Sequence, residues 1–175
     1  ATPSLTAASI TLKAAPPPEL VTFTDGSFVF IPDENESYVG AKALRTFKQG
    51  DASAELSLLS NNKTVSLSSA DATRQCLPMD LQSLDAVEDM VNLRQLNEAS
   101  ILHNLRLRFY VDDIYTTIGN ILVSVNPFKT LEIYTPNVME DYMRRRLDAP
   151  HVFRLADEVF RAVTDTRKSQ SCIVA

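Results

Sequence analysis

The chain has 175 residues, 45% of them apolar and 22% charged, which suits one ordinary domain or two small ones and is too apolar for a disordered chain. Its net charge of -5 argues against a nucleic-acid-binding domain, and no apolar run approaches the length that spans a membrane. The 4 glycines (Gly26, Gly40, Gly50, Gly119) are far apart, which excludes a complete G-x-G-x-x-G or G-x-x-x-x-G-K-[ST] phosphate loop within these residues.

Cys76, Cys172, His103 and His151 stand singly, with no paired metal-ligand spacing, so no metal site is expected. Two cysteines also argue against a disulfide scaffold and fit a reducing compartment.

Residues Ala1 to Pro18 are Ala, Ser, Thr and Pro with one Lys and no acid. They read as a disordered tail over 1–19, closed by the stiff spacer Pro16-Pro17-Pro18. A transit peptide is the other reading, although the segment has no Arg.

Residues 20–78 read as a small all-β unit, a meander or barrel with a turn about every ten residues. Ser27 to Ile31 puts Phe28 and Phe30 on one face, and Asp33-Glu34-Asn35-Glu36 is a turn. Tyr38 to Phe47 is the next strand, turned back at Gln49-Gly50-Asp51. Ala54, Leu56 and Leu58 alternate with polar neighbours, and Asn61-Asn62-Lys63 reverses the chain before Val65 and Leu67. Such a unit buries little core and gains from docking on something larger. It reads either as a rigid appended module or as a peptide-binding barrel.

Residues 79–175 mix helix and strand. From Val87 a run places Leu93, Leu96, Ile101, Leu102, Leu105 and Phe109 at helical spacing, with Asn97 as N-cap and Glu98 in the first turn. Arg106 and Arg108 fall at its favourable, C-terminal end, and His103 reads as an ordinary helix residue. Tyr115 to Val125 reads as one buried strand stopped by Asn126-Pro127. Pro136 to Arg145 is a short helix ending in Arg144-Arg145-Arg146, a run that is either solvated or met by an anionic partner. Asp148 to Arg167 is the clearest helix, capped by Asp148, with an apolar stripe from Val152 to Val163 and ion pairs Arg154/Glu158 and Asp157/Arg161. Ser171-Cys172-Ile173-Val174 opens a buried strand.

From Gly26 to Val174 these stretches, in order, resemble the opening part of a myosin motor domain. Phe30-Ile31-Pro32-Asp33 with Tyr38-Val39 is similar to the start of the family's SH3-like subdomain. Leu84 to Met90 and Leu96-Asn97-Glu98 to Leu105 are similar to its V-x-D-M and L-N-E-x-x-[IV]-L-H-N-L run. Ile114-Tyr115-Thr116 to Lys129, then Ala149-Pro150-His151-Val152-Phe153 and Ser169 to Val174, complete the pattern. The resemblance implies an α+β fold: an SH3-like β-barrel followed by part of a P-loop NTPase motor core. It implies ATP-driven movement along actin, with ATP and Mg as cofactors, the actin filament and the rest of the heavy chain as partners, and a cytoplasmic, cytoskeleton-associated setting.

One nucleotide element carries over by the same resemblance. Asn126, Pro127 and Tyr134, with Phe128 and Lys129 beside them, correspond to the adenine side of the family's site. Many members have a basic residue where this chain has Thr130. From spacing alone, Asn126-Pro127 is a strand terminator and Tyr134 a packed aromatic. The family's phosphate loop and switches, which hold the phosphates and magnesium, are expected beyond Ala175. No catalytic residue is therefore assigned, and the chain alone is expected to be inactive, with unpaired strand edges that favour aggregation. The competing readings are a stand-alone adaptor using the barrel, and a small enzyme built on His103 or Cys76.

Overall fold

The structure, a computed structural model, describes residues 19–175. The tail and proline spacer expected over 1–18 lie outside them. Alternating strand patterns and turn chemistry build the first half. β1 (Thr22–Phe23), β2 (Phe28–Asp33), β3 (Ser37–Ala43), β4 (Phe47–Lys48), β5 (Ala54–Leu58) and β6 (Thr64–Leu67) are followed by a short helix, α1 (Ala70–Arg74), and by β7 (Leu77–Pro78). The principal sheet is antiparallel in the order β6-β5-β3-β2-β7, and β1 pairs separately with β4. Among the described residues β6 and β7 are its two edges, so the ladder does not close on itself.

The β2–β3 reversal is set by Asp33, whose carboxylate accepts the amides of Asn35 and Glu36 at 2.9 and 2.8 Å. Those two bonds hold its carboxyl below the ordinary range. Strand alternation then sends successive side chains to opposite faces. Val29, Ile31, Ala41, Ala43 and Leu56 bury on one face under Phe23 and Phe47, whose rings stack at 4.9 Å. Phe28 and Phe30 share the other face, as their spacing suggests, packing with Met79 and with Ala99 of the helix that follows. The stretch expected as one strand from Tyr38 to Phe47 is divided. β3 stops at Ala43, and Phe47 turns to β1, because the sheet face and its lid need apolar groups on two different ladders.

The second half contains α2 (Glu98–Tyr110), β8 (Tyr115–Ile118), β9 (Ile121–Ser124), α3 (Pro136–Met143) and α4 (Val152–Thr166). Asn97 caps α2 as expected: it accepts the Ser100 amide at 3.0 Å while Ser100 Oγ accepts the Asn97 amide at 3.1 Å. The Asn97 side chain also donates to the Pro78 carbonyl at 2.8 Å, which fixes the helix start against β7.

Four expectations are corrected. The helical run does not begin at Val87. Asp89 forms an isolated parallel bridge with Thr117, the Glu88 carbonyl accepts the Thr117 amide at 2.9 Å, and a 3-10 turn (Met90–Asn92) follows before α2 begins at Glu98. The fully buried face of α2 is Ala99, Ser100, Asn104 and Arg108, whereas Leu96 and Leu102 are exposed. Polar side chains with good partners hold that face, so apolar spacing misplaces it. Tyr115 to Val125 is a hairpin rather than one strand, turning at Gly119-Asn120, with Gly119 at φ +57° in the first central position. Ser171 to Val174 forms no strand: Ile173 and Val174 are exposed, and among the described residues no ladder pairs them. No helix among the described residues is long and apolar enough to cross a membrane.

Candidate functional site

The chemistry-bearing side chains gather where the β8–β9 hairpin meets α3 and α4. Underneath lies Arg108. Its guanidinium donates to Thr116 Oγ1 at 3.0 Å and to the Tyr115 carbonyl at 2.9 Å, with Asp113 at 3.8 Å. This arginine, expected at the favourable C-terminal end of its helix, is buried and positions the first strand of the hairpin. Asn104, one turn earlier on the same face, accepts the Val87 amide at 2.7 Å and donates to the Val87 carbonyl at 3.1 Å. Asp89 ties the hairpin tip down by accepting the Gly119 amide at 3.0 Å. That bond and a second from Val91 keep its carboxyl below the ordinary range.

Beyond β9 the chain runs through the five residues singled out above. Asn126 is exposed, and its carboxamide oxygen accepts the Phe128 amide at 2.9 Å. This local bond holds Phe128 at φ +52°, a left-handed conformation that a bulky residue rarely adopts, with the ring 90% exposed. Pro127 is half-buried. Lys129 Nζ pairs with Asp112 at 2.6 Å. Tyr134 is half exposed, and its hydroxyl meets the Tyr115 hydroxyl at 2.8 Å. Asn126 and Phe128 are therefore joined directly, while Lys129 and Tyr134 are each held by a residue of the α2–β8 region. None of the five lines the cleft of about 380 Å³ that opens between the hairpin and α4.

His151 is the buried centre of the region. It lies 4.8 Å from Tyr142 in a near-parallel stack, 4.9 Å from Tyr115 edge-on, 4.8 Å from Phe153 and 5.6 Å from Tyr134. It also caps α4, its Nδ1 accepting the Phe153 amide at 3.0 Å. The cap expected at Asp148 is not formed. That residue instead binds Arg154, through its carboxylate at 3.5 Å and its carbonyl at 2.6 Å. Sequence reasoning missed His151 because histidine is not among the favoured caps and its aromatic partners are spread along the chain from Tyr115 to Phe153.

The arginine run is met within the chain: Arg144 by Glu140, Arg145 by Asp157 at 3.9 Å and Arg146 by Asp141 at 3.2 Å. Cys76 is buried and its thiol is pushed up to about 11 by burial, the opposite of what a nucleophile needs. His103 faces the Leu84 carbonyl at 3.4 Å and the Phe30 ring at 6.0 Å. No group of three His, Cys, Asp or Glu among the described residues could hold a metal ion.

The geometry can be set beside known proteins. The family model of the myosin head (motor domain) matches residues 87–175, the stretch that carries α2, the hairpin, the Asn126–Tyr134 segment and α4. The chain is 42% identical over 151 residues to the high molecular weight form of myosin-1 of Acanthamoeba castellanii, covering 85% of this chain and 9% of that protein. It is 37% identical over 136 residues to Myosin-2 of Arabidopsis thaliana, covering 78% of this chain and 11% of the relative. It is 39% identical over 147 residues to the non-muscle myosin heavy chain of Drosophila melanogaster, covering 83% and 7%. The chain thus spans only about a tenth of the length of these curated relatives. With more than half of its residues inside the family match and its polar framework built from that same stretch, the chain belongs to the myosin head (motor domain) family.

Proposed function

We propose that these residues are part of an actin-based, ATP-driven motor and supply the adenine side of its nucleotide site. The SH3-like reading of residues 20–78 belongs to the same proposal, supported by an antiparallel five-stranded sheet whose one face is closed by the β1–β4 pair and the other by α2. The actin filament, the remainder of the heavy chain and a cytoplasmic, cytoskeleton-associated setting follow from family membership.

The observation that carries the nucleotide reading is Phe128: an aromatic ring held in a strained conformation by Asn126 and turned to solvent. Backbone strain of this kind costs on the order of 1–3 kcal/mol and tends to persist where it serves a contact. The donor set fits a purine. The Asn126 carboxamide keeps its NH₂ for a base edge, since its oxygen serves Phe128. Tyr134 shares one hydrogen bond with Tyr115, and a hydroxyl has capacity for more, so it can still meet a ring nitrogen or an exocyclic amine. Phe128 offers the flat surface, and Lys129, anchored by Asp112, adds positive charge nearby. ATP, when bound to the whole motor, supplies the phosphoryl group whose transfer drives movement. Asn126, Phe128 and Tyr134 would orient its base, and the described residues offer no ligand cluster for magnesium.

The test is NMR of the full chain titrated with adenosine to about millimolar concentration, where weak single-site contacts become visible. The Phe128 and Tyr134 ring signals should shift, and Asn126→Ala should abolish the response. Shifts confined to other residues, or none at saturation, would overturn the reading.

A further inference from the structure

His151 combines features that depend on its charge state. Nδ1 accepts the Phe153 amide, and a nitrogen that accepts carries no proton, so the ring is neutral with its hydrogen on Nε2. The ring is 5% exposed, and Nε2 makes no hydrogen bond of normal geometry, a weak tie to the Ile133 backbone aside. It sits at the N-terminus of α4, where the unpaired amides present positive charge.

We propose that His151 is a proton-operated latch: protonation of the imidazole uncaps α4 and loosens the aromatic cluster that joins Tyr115, Tyr134 and Tyr142.

An imidazolium is a donor at both nitrogens, so protonation sets an N–H at Nδ1 against the Phe153 N–H. The helix loses its cap and gains a repelling charge at its positive end. Burial acts in the same direction and holds His151 below the ordinary histidine value, with the Ile133 carbonyl opposing it more weakly. Of the surrounding rings only Tyr142 meets the imidazole nearly face to face, at 15°, while Tyr115 approaches edge-on, so the rings do not form a cation cage.

The charged neighbours do not supply a counter-ion. On one side Arg154 and Glu158 of α4 line the cleft of about 380 Å³ with His151, and Arg154 is already engaged by Glu158 at 2.9 Å and by Asp148. On the other, Glu88, Arg108, Asp112 and Asp113 line a cavity of about 140 Å³ that also reaches His151. There Arg108 is held by Asp113, and Asp112 by Lys129. None of these carboxylates bonds the free Nε2.

The sign follows from the depressed value. The unfolded or opened ring binds a proton more readily than the latched one. The latch contributes fully above the ordinary histidine value of about 6.5, and its contribution is lost as pH falls through the lowered value of the closed state. Within that window the closed-to-open ratio drops by up to about tenfold per pH unit.

The chain suits a direct test, because it has 5 tyrosines and no tryptophan, and three of those tyrosines surround His151. NMR of the full chain, with only 2 histidines to assign, should show His151 titrating below the ordinary value. The Phe153 amide and the tyrosine fluorescence should change with the same midpoint as pH is lowered from about 7.5 to about 4.5. His151→Asn, which keeps a capping acceptor without a titrating group, should flatten the transition, and His103→Asn should leave it in place. A His151 titration at or above the ordinary value overturns the latch, as does a transition that survives in His151→Asn. Should that variant fail to fold, the titration of the unaltered chain decides by itself.

Discussion

Arg106 on α2 closes on Glu36 in the β2–β3 turn across 70 positions of chain, its guanidinium donating to the carboxylate and, at 2.6 Å, to the Glu36 carbonyl. The contact joins the sheet unit to the part of the chain that carries the site. Half-exposed ion pairs contribute little on their own, but the second bond to a carbonyl gives this one fixed geometry. Arg106→Ala should lower stability by about 1 kcal/mol in urea unfolding. Arg106→Lys should lose nearly as much, since a single ammonium does not reproduce the fork. Glu36→Gln should lose less, because the carbonyl remains. Equal stability for all three variants would show that the units dock by apolar packing alone.

Asn104 argues for a larger effect. It is fully buried and satisfies both backbone groups of Val87 from 17 positions away. Removing one partner leaves the two part-buried backbone groups of Val87 unmet, at up to roughly 1–3 kcal/mol each before relaxation and solvent access. Asn104→Leu, which preserves volume, should therefore destabilise by about 2–4 kcal/mol, more than truncating any exposed residue of α2 such as Leu102. Amide exchange at Val87 should accelerate in the same variant. Protection unchanged there would mean that solvent already reaches the pair.

These two residues also show what can be read from sequence. Local chemistry is legible: the Asn97 cap, the turn at Asp33 and the placement of Phe28 with Phe30 all depend on neighbours within a few positions. Partnerships across the chain are not. Asn104 carries no local sign that Val87 is its partner, and Arg108 looks like a helix-end cation until β8 is laid over it. The hairpin was hidden because Tyr115 to Val125 is apolar on both sides of its turn, so Gly119-Asn120 gives the only break. The candidate site divides in the same way. Asn126 and Phe128 act on each other within three residues, whereas the support of Tyr134 by Tyr115 and of Lys129 by Asp112 comes from elements brought together by folding.

Tyr115 gives a prediction at alkaline pH. Burial, followed by its bond to Tyr134, pushes its hydroxyl up to about 12. For an acid raised in the folded state, the unfolded chain releases its proton first. Stability is therefore full below the ordinary tyrosine value of about 10 and declines as pH rises from there toward about 12. In an ultraviolet titration of phenolate, Tyr115 should contribute a late step together with loss of helical signal, beside Tyr142, whose hydroxyl burial also pushes up. Tyr115→Phe should remove that late step while lowering stability near neutrality by about 0.5–1 kcal/mol, the contribution of one partly exposed hydrogen bond. Simultaneous ionisation of every tyrosine in the folded chain would contradict the hydroxyl pair.

Phe128 sets stability against the proposed base contact. Its positive φ opposes a side chain with a Cβ, and its ring is 90% exposed, so the folded chain gains little from keeping it. Phe128→Gly relieves the strain at the cost of a more flexible unfolded chain, for a net gain of about 0.5–1 kcal/mol. Asn126→Ala works the other way: it removes the acceptor that holds Phe128 and should destabilise by about 0.5–1 kcal/mol. If the ring is kept for a base, both variants should lose the adenosine response although their stabilities diverge. The decisive comparison is therefore Phe128→Gly, measured by thermal unfolding and by adenosine titration on the same sample. A variant that is more stable and binds as before would leave the strained phenylalanine without a role in nucleotide contact.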